Sequence, residues 1–286
     1  MEDILVAKKV TKNFGGLTAV KDVSLTVPKR TRLGIIGPNG AGKTTLFNLF
    51  TGELNTTAGT ILFENQPLQG LKPHAISKKG IGRTFQIVRV FDELPVYDNI
   101  LIGAIAKDLH LTPSKEQHQA VEQTLEMVKL QDHRNVMAKH LTLSAKKRVG
   151  LAVALVGKPR LLLLDECMAG LTFVEIDEIL ELLRKINTEI GITLVVVEHV
   201  MKVVMELCER IVVLASGEKI ADGTPREVAN DRKVIDVYLG EKKSRWICKM
   251  SVPDMVNFRS CMMYPLMFSW ERLLRWWVPM GQENLP

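Results

Sequence analysis

One eight-residue stretch, Gly37-Pro38-Asn39-Gly40-Ala41-Gly42-Lys43-Thr44, constrains what this chain can fold into more than any other. It fits the pattern of a phosphate loop, in which two glycines bracket four residues and Lys and a hydroxyl residue follow. It also lies in the context that the pattern requires. The apolar run at residues 31–36 reads as a strand before it, and helical character begins near Lys43. The glycines let the backbone fold its amide groups inward around phosphate oxygens. The helix start aims its positive dipole end at the same anion. Lys43 is expected to reach the β- and γ-phosphates of a nucleotide, Thr44 to offer a hydroxyl to Mg²⁺, and Thr45 to join the nucleotide-binding set. At ordinary glycine usage of about 7%, chance yields this pattern in roughly one chain per hundred of this length.

A second signal is Leu161-Leu162-Leu163-Leu164-Asp165-Glu166. A buried strand ending in a carboxylate delivers that acid to the sheet edge where ligands sit. Asp165 is expected to hold Mg²⁺ through water, and Glu166 to act as general base toward an attacking water. Residues 192–197 form a third apolar run, and residues 180–190 between the two have helical spacing. Strand, helix and strand at these lengths read as a βαβ unit and therefore a parallel sheet. Residues 19–27 alternate and look antiparallel, and residues 211–221 read as a hairpin turning at Ser216-Gly217-Glu218. Residues 114–140 are polar with apolar positions Val121, Leu125 and Val128 at helical spacing, which suggests a helical insert between the two motifs. The reading is an α/β chain: a mostly parallel sheet flanked by helices, with an N-terminal antiparallel part.

Composition narrows the function classes. Hydrophobic residues make up 46% and charged residues 24%, an ordinary globular balance. No run of about 18 apolar residues is present to span a bilayer. Met1-Glu2-Asp3 lacks the basic region of a signal peptide. The cysteines Cys167, Cys208, Cys248 and Cys261 have no CxxC spacing, so neither a zinc site nor a disulfide framework is expected, and a cytoplasmic setting fits. The net charge of +6 divides into +2 for residues 1–241 and +4 for residues 242–286. A nucleic-acid partner is not expected, because the main body lacks a basic stripe. All four tryptophans (Trp246, Trp270, Trp276, Trp277) and six of the twelve methionines fall after residue 241, which marks a domain boundary. The segment around Phe268-Ser269-Trp270 and Trp276-Trp277 has the composition of a membrane-interface segment. Its imperfect helical pattern favours a disordered or loosely packed tail over an anchor.

Gln86 follows Thr84-Phe85, and His199 follows Val197-Glu198 at the end of the third apolar run. Phosphate loop, glutamine, signature segment, Asp-Glu after four apolar residues and strand-ending histidine come in an order that resembles the ATP-binding subunit of ABC transporters. The resemblance covers residues 4–241. Phe14-Gly15-Gly16-Leu17-Thr18-Ala19-Val20, Gly82-Arg83-Thr84-Phe85-Gln86, Glu198-His199-Val200-Met201 and Ile220-Ala221-Asp222-Gly223-Thr224-Pro225 look like the subunits that power branched-chain amino acid uptake. The resemblance implies a P-loop NTPase core over residues 1–241 with a helical insert at about residues 89–155. It implies that Phe14 stacks on adenine with Val20 near it, the alternative being that both are core residues. Gln86 would sense Mg²⁺ and the attacking water, and His199 would bond the γ-phosphate. ATP would be sandwiched between this chain and a second ATP-binding subunit. Two membrane permeases would dock on the insert, fed by an extracytoplasmic solute-binding protein, at the cytoplasmic face of the membrane.

The chain departs from the family pattern at the signature, usually Leu-Ser-Gly-Gly-Gln. Here Leu141-Thr142-Leu143-Ser144-Ala145 stands, so Leu143 and Ser144 replace both glycines. Thr142 keeps a hydroxyl for a γ-phosphate oxygen, and Ser144 is a second candidate ligand, ahead of a helix expected at residues 149–155. Side chains there hinder a close amide approach. A related but different cassette is therefore the expected partner, and a homodimer is the alternative. Cys167 stands where proline is usual and is expected to be a buried, inert thiol. Other cargo (urea, amides or exported lipid) and an ATP-gated interaction subunit with weak hydrolysis are the competing readings.

Overall fold

The computed structural model describes residues 2–86, 89–105 and 112–239. The expected boundary near residue 241 and the Trp- and Met-rich tail lie outside the described residues.

The chain opens with two long strands, β1 (Asp3–Phe14) and β2 (Leu17–Pro28), followed by β3 (Arg32–Ile36) and α1 (Lys43–Phe50). Next come β4 (Ala58–Phe63), β5 (Gln66–Pro67), α2 (Pro73–Lys78) and β6 (Ile81–Arg83). Three helices follow: α3 (Val96–Ile105), α4 (Lys115–Met127) and α5 (Leu143–Val156). The second half holds β7 (Leu161–Asp165), α6 (Phe173–Lys185), β8 (Thr193–Val197) and α7 (Met201–Leu207). It ends with β9 (Arg210–Ala215), β10 (Glu218–Gly223), α8 (Pro225–Asn230) and α9 (Arg232–Leu239).

Two sheets result. One has four strands in the order β2-β1-β4-β5, and the other has six in the order β10-β9-β3-β8-β7-β6. The first is antiparallel throughout. In the second, all pairs from β9 to β6 are parallel, and only β10 runs against its neighbour. The expected βαβ unit is β7-α6-β8, and the expected late hairpin is β9-β10.

The large sheet is buried on both faces, which is why its strands read as unbroken apolar runs. Leu162, Leu164, Leu194, Val196, Ile211 and Val213 face one core, with α6, α7 and the helices α3–α5. Leu161, Leu163, Val195, Val197, Val212 and Leu214 face the other, with Phe47 and Phe50 of α1 and Leu5, Val23 and Ile61 of the small sheet. In β2 the strict alternation breaks. Val20 and Val23 are both fully buried although three residues apart, because the register against β1 shifts there and Asp22 takes φ +49°.

Two helices differ from their sequence expectations. The helix expected at residues 149–155 begins at Leu143, because the Thr142 side chain caps it by accepting from Ala145 N at 3.2 Å. The helix expected at residues 180–190 begins at Phe173 behind a Thr172–Glu175 capping box and ends in a π-helical turn over Ile186–Ile190. Cap chemistry, not hydrophobic spacing, sets both starts. No described helix is long and apolar enough to cross a membrane.

Leu162 has no exposed surface, whereas Leu17 is 67% exposed. Leu162→Ala should lower stability by about 2–5 kcal/mol, read as a lower urea midpoint at unchanged slope. Leu17→Ala should stay within about 0.5 kcal/mol of the parent.

Candidate functional site

The phosphate-loop residues join β3 to α1. Gly37 has φ +152°, and a Cβ there would sit 2.1 Å from Leu214 O. At Gly42, φ is +98° and a Cβ would meet Ala19 O at 2.4 Å. Both positions require glycine, so the loop is locked against β9 and β2. Gly40, at φ +78°, faces open space. Ala41 is buried, Pro38 and Thr45 are half-buried, and Asn39, Gly40 and Thr44 are exposed. Gly42 caps α1, whose first-turn amides, at Lys43, Thr44 and Thr45, have no intrahelical acceptor.

Lys43 is buried, and its Nζ donates to Gly37 O at 2.8 Å and Pro38 O at 3.0 Å. Burial lowers its pKa, and the nearby Glu166 and Asp165 carboxylates partly offset that. The ammonium and two carboxylates from a distant part of the sequence therefore share one electrostatic site.

Asp165 is buried at the end of β7, where its Oδ2 accepts from Arg83 Nη2 at 2.7 Å. Its backbone N donates to Thr84 Oγ1 at 3.2 Å. Arg83 also donates from Nη1 to Asn48 Oδ1 at 2.7 Å and lies against the rings of Phe47 and Phe85. Arg83 was not singled out as a site residue from the sequence. The available signal was a lone cation ending a short strand three residues before Gln86.

Glu166 leaves the strand with φ +47°. The structure brings two other sequence-predicted residues to its carboxylate. Gln86 Nε2 donates to Glu166 Oε2 at 2.7 Å, and His199 Nε2 lies 2.8 Å from Glu166 Oε1. The side chain of Glu166 is 15% exposed and that of His199 is 41% exposed. Beneath them, Glu198 is 2% exposed and accepts from Met168 N at 2.9 Å and His199 N at 3.3 Å. Burial pushes its pKa up to about 7, against the pull of those two amides and of Lys147. Glu198 and Lys147 were likewise missed: Glu198 follows the apolar run at residues 194–197 as Asp165 follows its own, but His199 beside it took the reading, and a lysine within a basic run carries no distinctive spacing. Cys167 is half-buried, and its thiol pKa is raised by burial, as an unreactive thiol requires.

The remaining predicted residues are spread wider. Val20 is a fully buried core residue against the loop, 3.4 Å from where a Gly42 Cβ would be. Phe14 is 45% exposed at the end of β1, with Lys12 Nζ 5.1 Å from its ring centroid. Thr142 uses its hydroxyl as the α5 cap, Ser144 is buried and hydrogen-bonded toward Glu175, and Leu143 is 50% exposed.

The donor set fits a nucleotide triphosphate. Amides at a helix start, a buried ammonium and an exposed Thr44 hydroxyl form an anion cradle. Thr44 and Asp165 supply hard oxygen donors of the kind Mg²⁺ takes alongside substrate phosphates. No group of three or more His, Cys, Asp or Glu residues suited to a metal occurs among the described residues.

Comparison with known proteins agrees with this geometry. The ABC transporter family profile matches residues 20–169, and the branched-chain amino acid ATP-binding cassette transporter profile matches residues 218–243. The high-affinity branched-chain amino acid transport ATP-binding protein BraF of Pseudomonas aeruginosa is 39% identical over 250 residues, covering 83% of this chain and 98% of its own. The lipopolysaccharide export system ATP-binding protein LptB of Escherichia coli is 34% identical over 241 residues, covering 83% of this chain and 97% of its own. The crystal structure of the ADP conformation of MJ1267, an ATP-binding cassette of an ABC transporter, superposes with a TM-score of 0.78 at 30% identity. It covers 84% of this chain and 100% of that one. This chain belongs to the ABC transporter family, as an ATP-binding cassette.

Proposed function

We propose that this cassette binds and hydrolyses ATP to power an importer of branched-chain amino acids. The observation that carries hydrolysis is the Glu166 carboxylate held between Gln86 and His199, beside the buried Lys43. The cargo rests on the 39% identity to BraF and on the C-terminal match over residues 218–243.

In this reading the adenine lies on Phe14, and the loop Gly37-Pro38-Asn39-Gly40-Ala41-Gly42 cradles the phosphates. Lys43 leaves its two carbonyl partners for the β- and γ-phosphate oxygens, exchanging neutral acceptors for charged ones. Thr44 and Asp165, with Gln86, would hold Mg²⁺, which when bound would supply positive charge to the phosphates. Glu166 takes a proton from the attacking water as its oxygen bonds the γ-phosphorus and the bond to the β-phosphate oxygen breaks. Each carboxylate oxygen of Glu166 has one partner in the chain and keeps a second lone pair, on which it accepts from the attacking water. His199 then turns to the γ-phosphate.

The helices α3–α5 correspond to the expected insert at about residues 89–155, and we assign to them the docking of two membrane permeases. The cassette then sits at the cytoplasmic face of a membrane, with a solute-binding protein acting indirectly. A second ATP-binding subunit completes the site. The engaged hydroxyls of Thr142 and Ser144 and the exposed Leu143 support a related but different cassette as that partner.

Lys43→Ala should abolish radiolabelled leucine uptake at low leucine concentration in cells carrying no other copy. Unchanged uptake at normal protein level overturns the cargo, and export of lipid is the reading that LptB would then favour. Glu166→Gln should bind ATP and lower turnover by about 10²–10⁴-fold. It should not form tight ATP-dependent homodimers alone, and size-exclusion chromatography with ATP decides this. Arg83→Met leaves Asp165 buried without its cation. It should lose about 3–5 kcal/mol of stability in denaturant titration, with a stronger Mg²⁺ requirement for ATP binding.

A further inference from the structure

The parallel ladder between β7 and β8 ends where Asp165 stands opposite Val197, followed by one more bond from Glu166 N to Val197 O at 2.9 Å. Beyond that point the two chains separate, because Glu166 turns through a positive φ of +47°. Backbone pairing no longer fixes residues 167–168 against residues 198–199, although the Glu166–His199 contact at 2.8 Å lies across that gap.

Glu198 bridges it with one side chain. Its Oε1 accepts from Met168 N on the loop after β7, and its Oε2 accepts from His199 N on the loop after β8. The two amides, the Glu166 N bond and the Glu166–His199 contact close a ring around the general base. An ionised carboxylate offers a charged acceptor to each amide, whereas protonation leaves one oxygen a weaker acceptor and adds a donor that needs its own partner. At 2% exposure that ionised form needs a countercharge. Lys147 of α5 provides one. It is 7% exposed; burial lowers its pKa, and the neighbouring Glu198 and Glu166 carboxylates partly offset that. Cys208, at the end of α7, and His199 are the remaining titratable groups near Glu198. Lys147 stands on the same helix that Thr142 caps, so the link runs from the signature helix to the general base within one chain.

We propose that Glu198 is a positioning residue that holds His199 against Glu166, and that Lys147 keeps Glu198 in its two-acceptor form. The proposal rests on the hydrolytic reading above. Glu198 touches no nucleotide in this scheme. It acts through the backbone of its neighbours.

The test uses the full chain assembled with its partner cassette and permeases. Glu198→Gln can accept from only one of the two amides. It should lower kcat by roughly tenfold to a hundredfold, the scale of a misplaced catalytic group, with ATP affinity within about twofold of the parent. Lys147→Met should lower kcat in the parent and add nothing in the Glu198→Gln background. Hydrogen exchange at the Met168 and His199 amides should speed up in Glu198→Gln without ATP. An unchanged kcat, equal losses of affinity and kcat, or fully additive losses from the two substitutions would each overturn the proposal. If the parent assembly hydrolyses no ATP, the hydrolytic reading fails, and the exchange measurement alone decides whether Glu198 clamps the two loops.

Discussion

Leu161–Asp165 runs in parallel register beside Thr193–Val197, which in turn pairs with Arg32–Ile36, and this alignment sets the distances in the site. Because β7 and β8 end level, Asp165, Glu166, Glu198 and His199 emerge together at the carboxyl edge of the sheet. Because β3 lies on the far side of β8, the phosphate loop leaves the same edge, and Lys43 feels both carboxylates. Ligands of open parallel sheets gather at that edge for this reason. Burial of the sheet on both faces gives the alignment its rigidity, since a one-residue slip would drive leucines of one core into the other.

Charge at this edge is organised around buried cations from separate elements. Lys43 comes from α1, Arg83 from β6 and Lys147 from α5, and all three side chains are largely buried. Arg83 answers Asp165 directly, while Lys147 works at longer range toward Glu198 and Glu166. In a low-dielectric site such a network is strong when complete and costly when one member is lost. The Glu166 carboxylate is the exception, with one ring nitrogen and one amide as partners and partial exposure. It is the acid most free to exchange a partner for water.

The helices α3–α5 add the part of the molecule with the least regular sequence pattern. Asn99, buried between them and the β6–α3 segment, donates to three carbonyls, at Phe91, Leu94 and Pro95. Arg148, next to Lys147, reaches Val128 O and Glu178, which ties α5 to both α4 and α6. The segment at residues 141–145 is thus held by polar contacts within its own chain, with the Leu143 side chain left exposed.

Much of this was legible in the residues. The glycine spacing before Lys43, the four leucines before Asp165 and the β-branched run before His199 announce a parallel sheet with a phosphate site, because buried strands and tight turns leave direct marks on composition. The helix starts at Leu143 and Phe173 were misjudged, because caps lie outside the hydrophobic period. Tertiary structure alone decided that Val20 is core, that Thr142 spends its hydroxyl on a cap, and that Arg83, Lys147 and Glu198 surround the acids. Those outcomes depend on which side chains meet across strands and helices distant in sequence. A local pattern records the burial of each residue, but not the partner it is buried against.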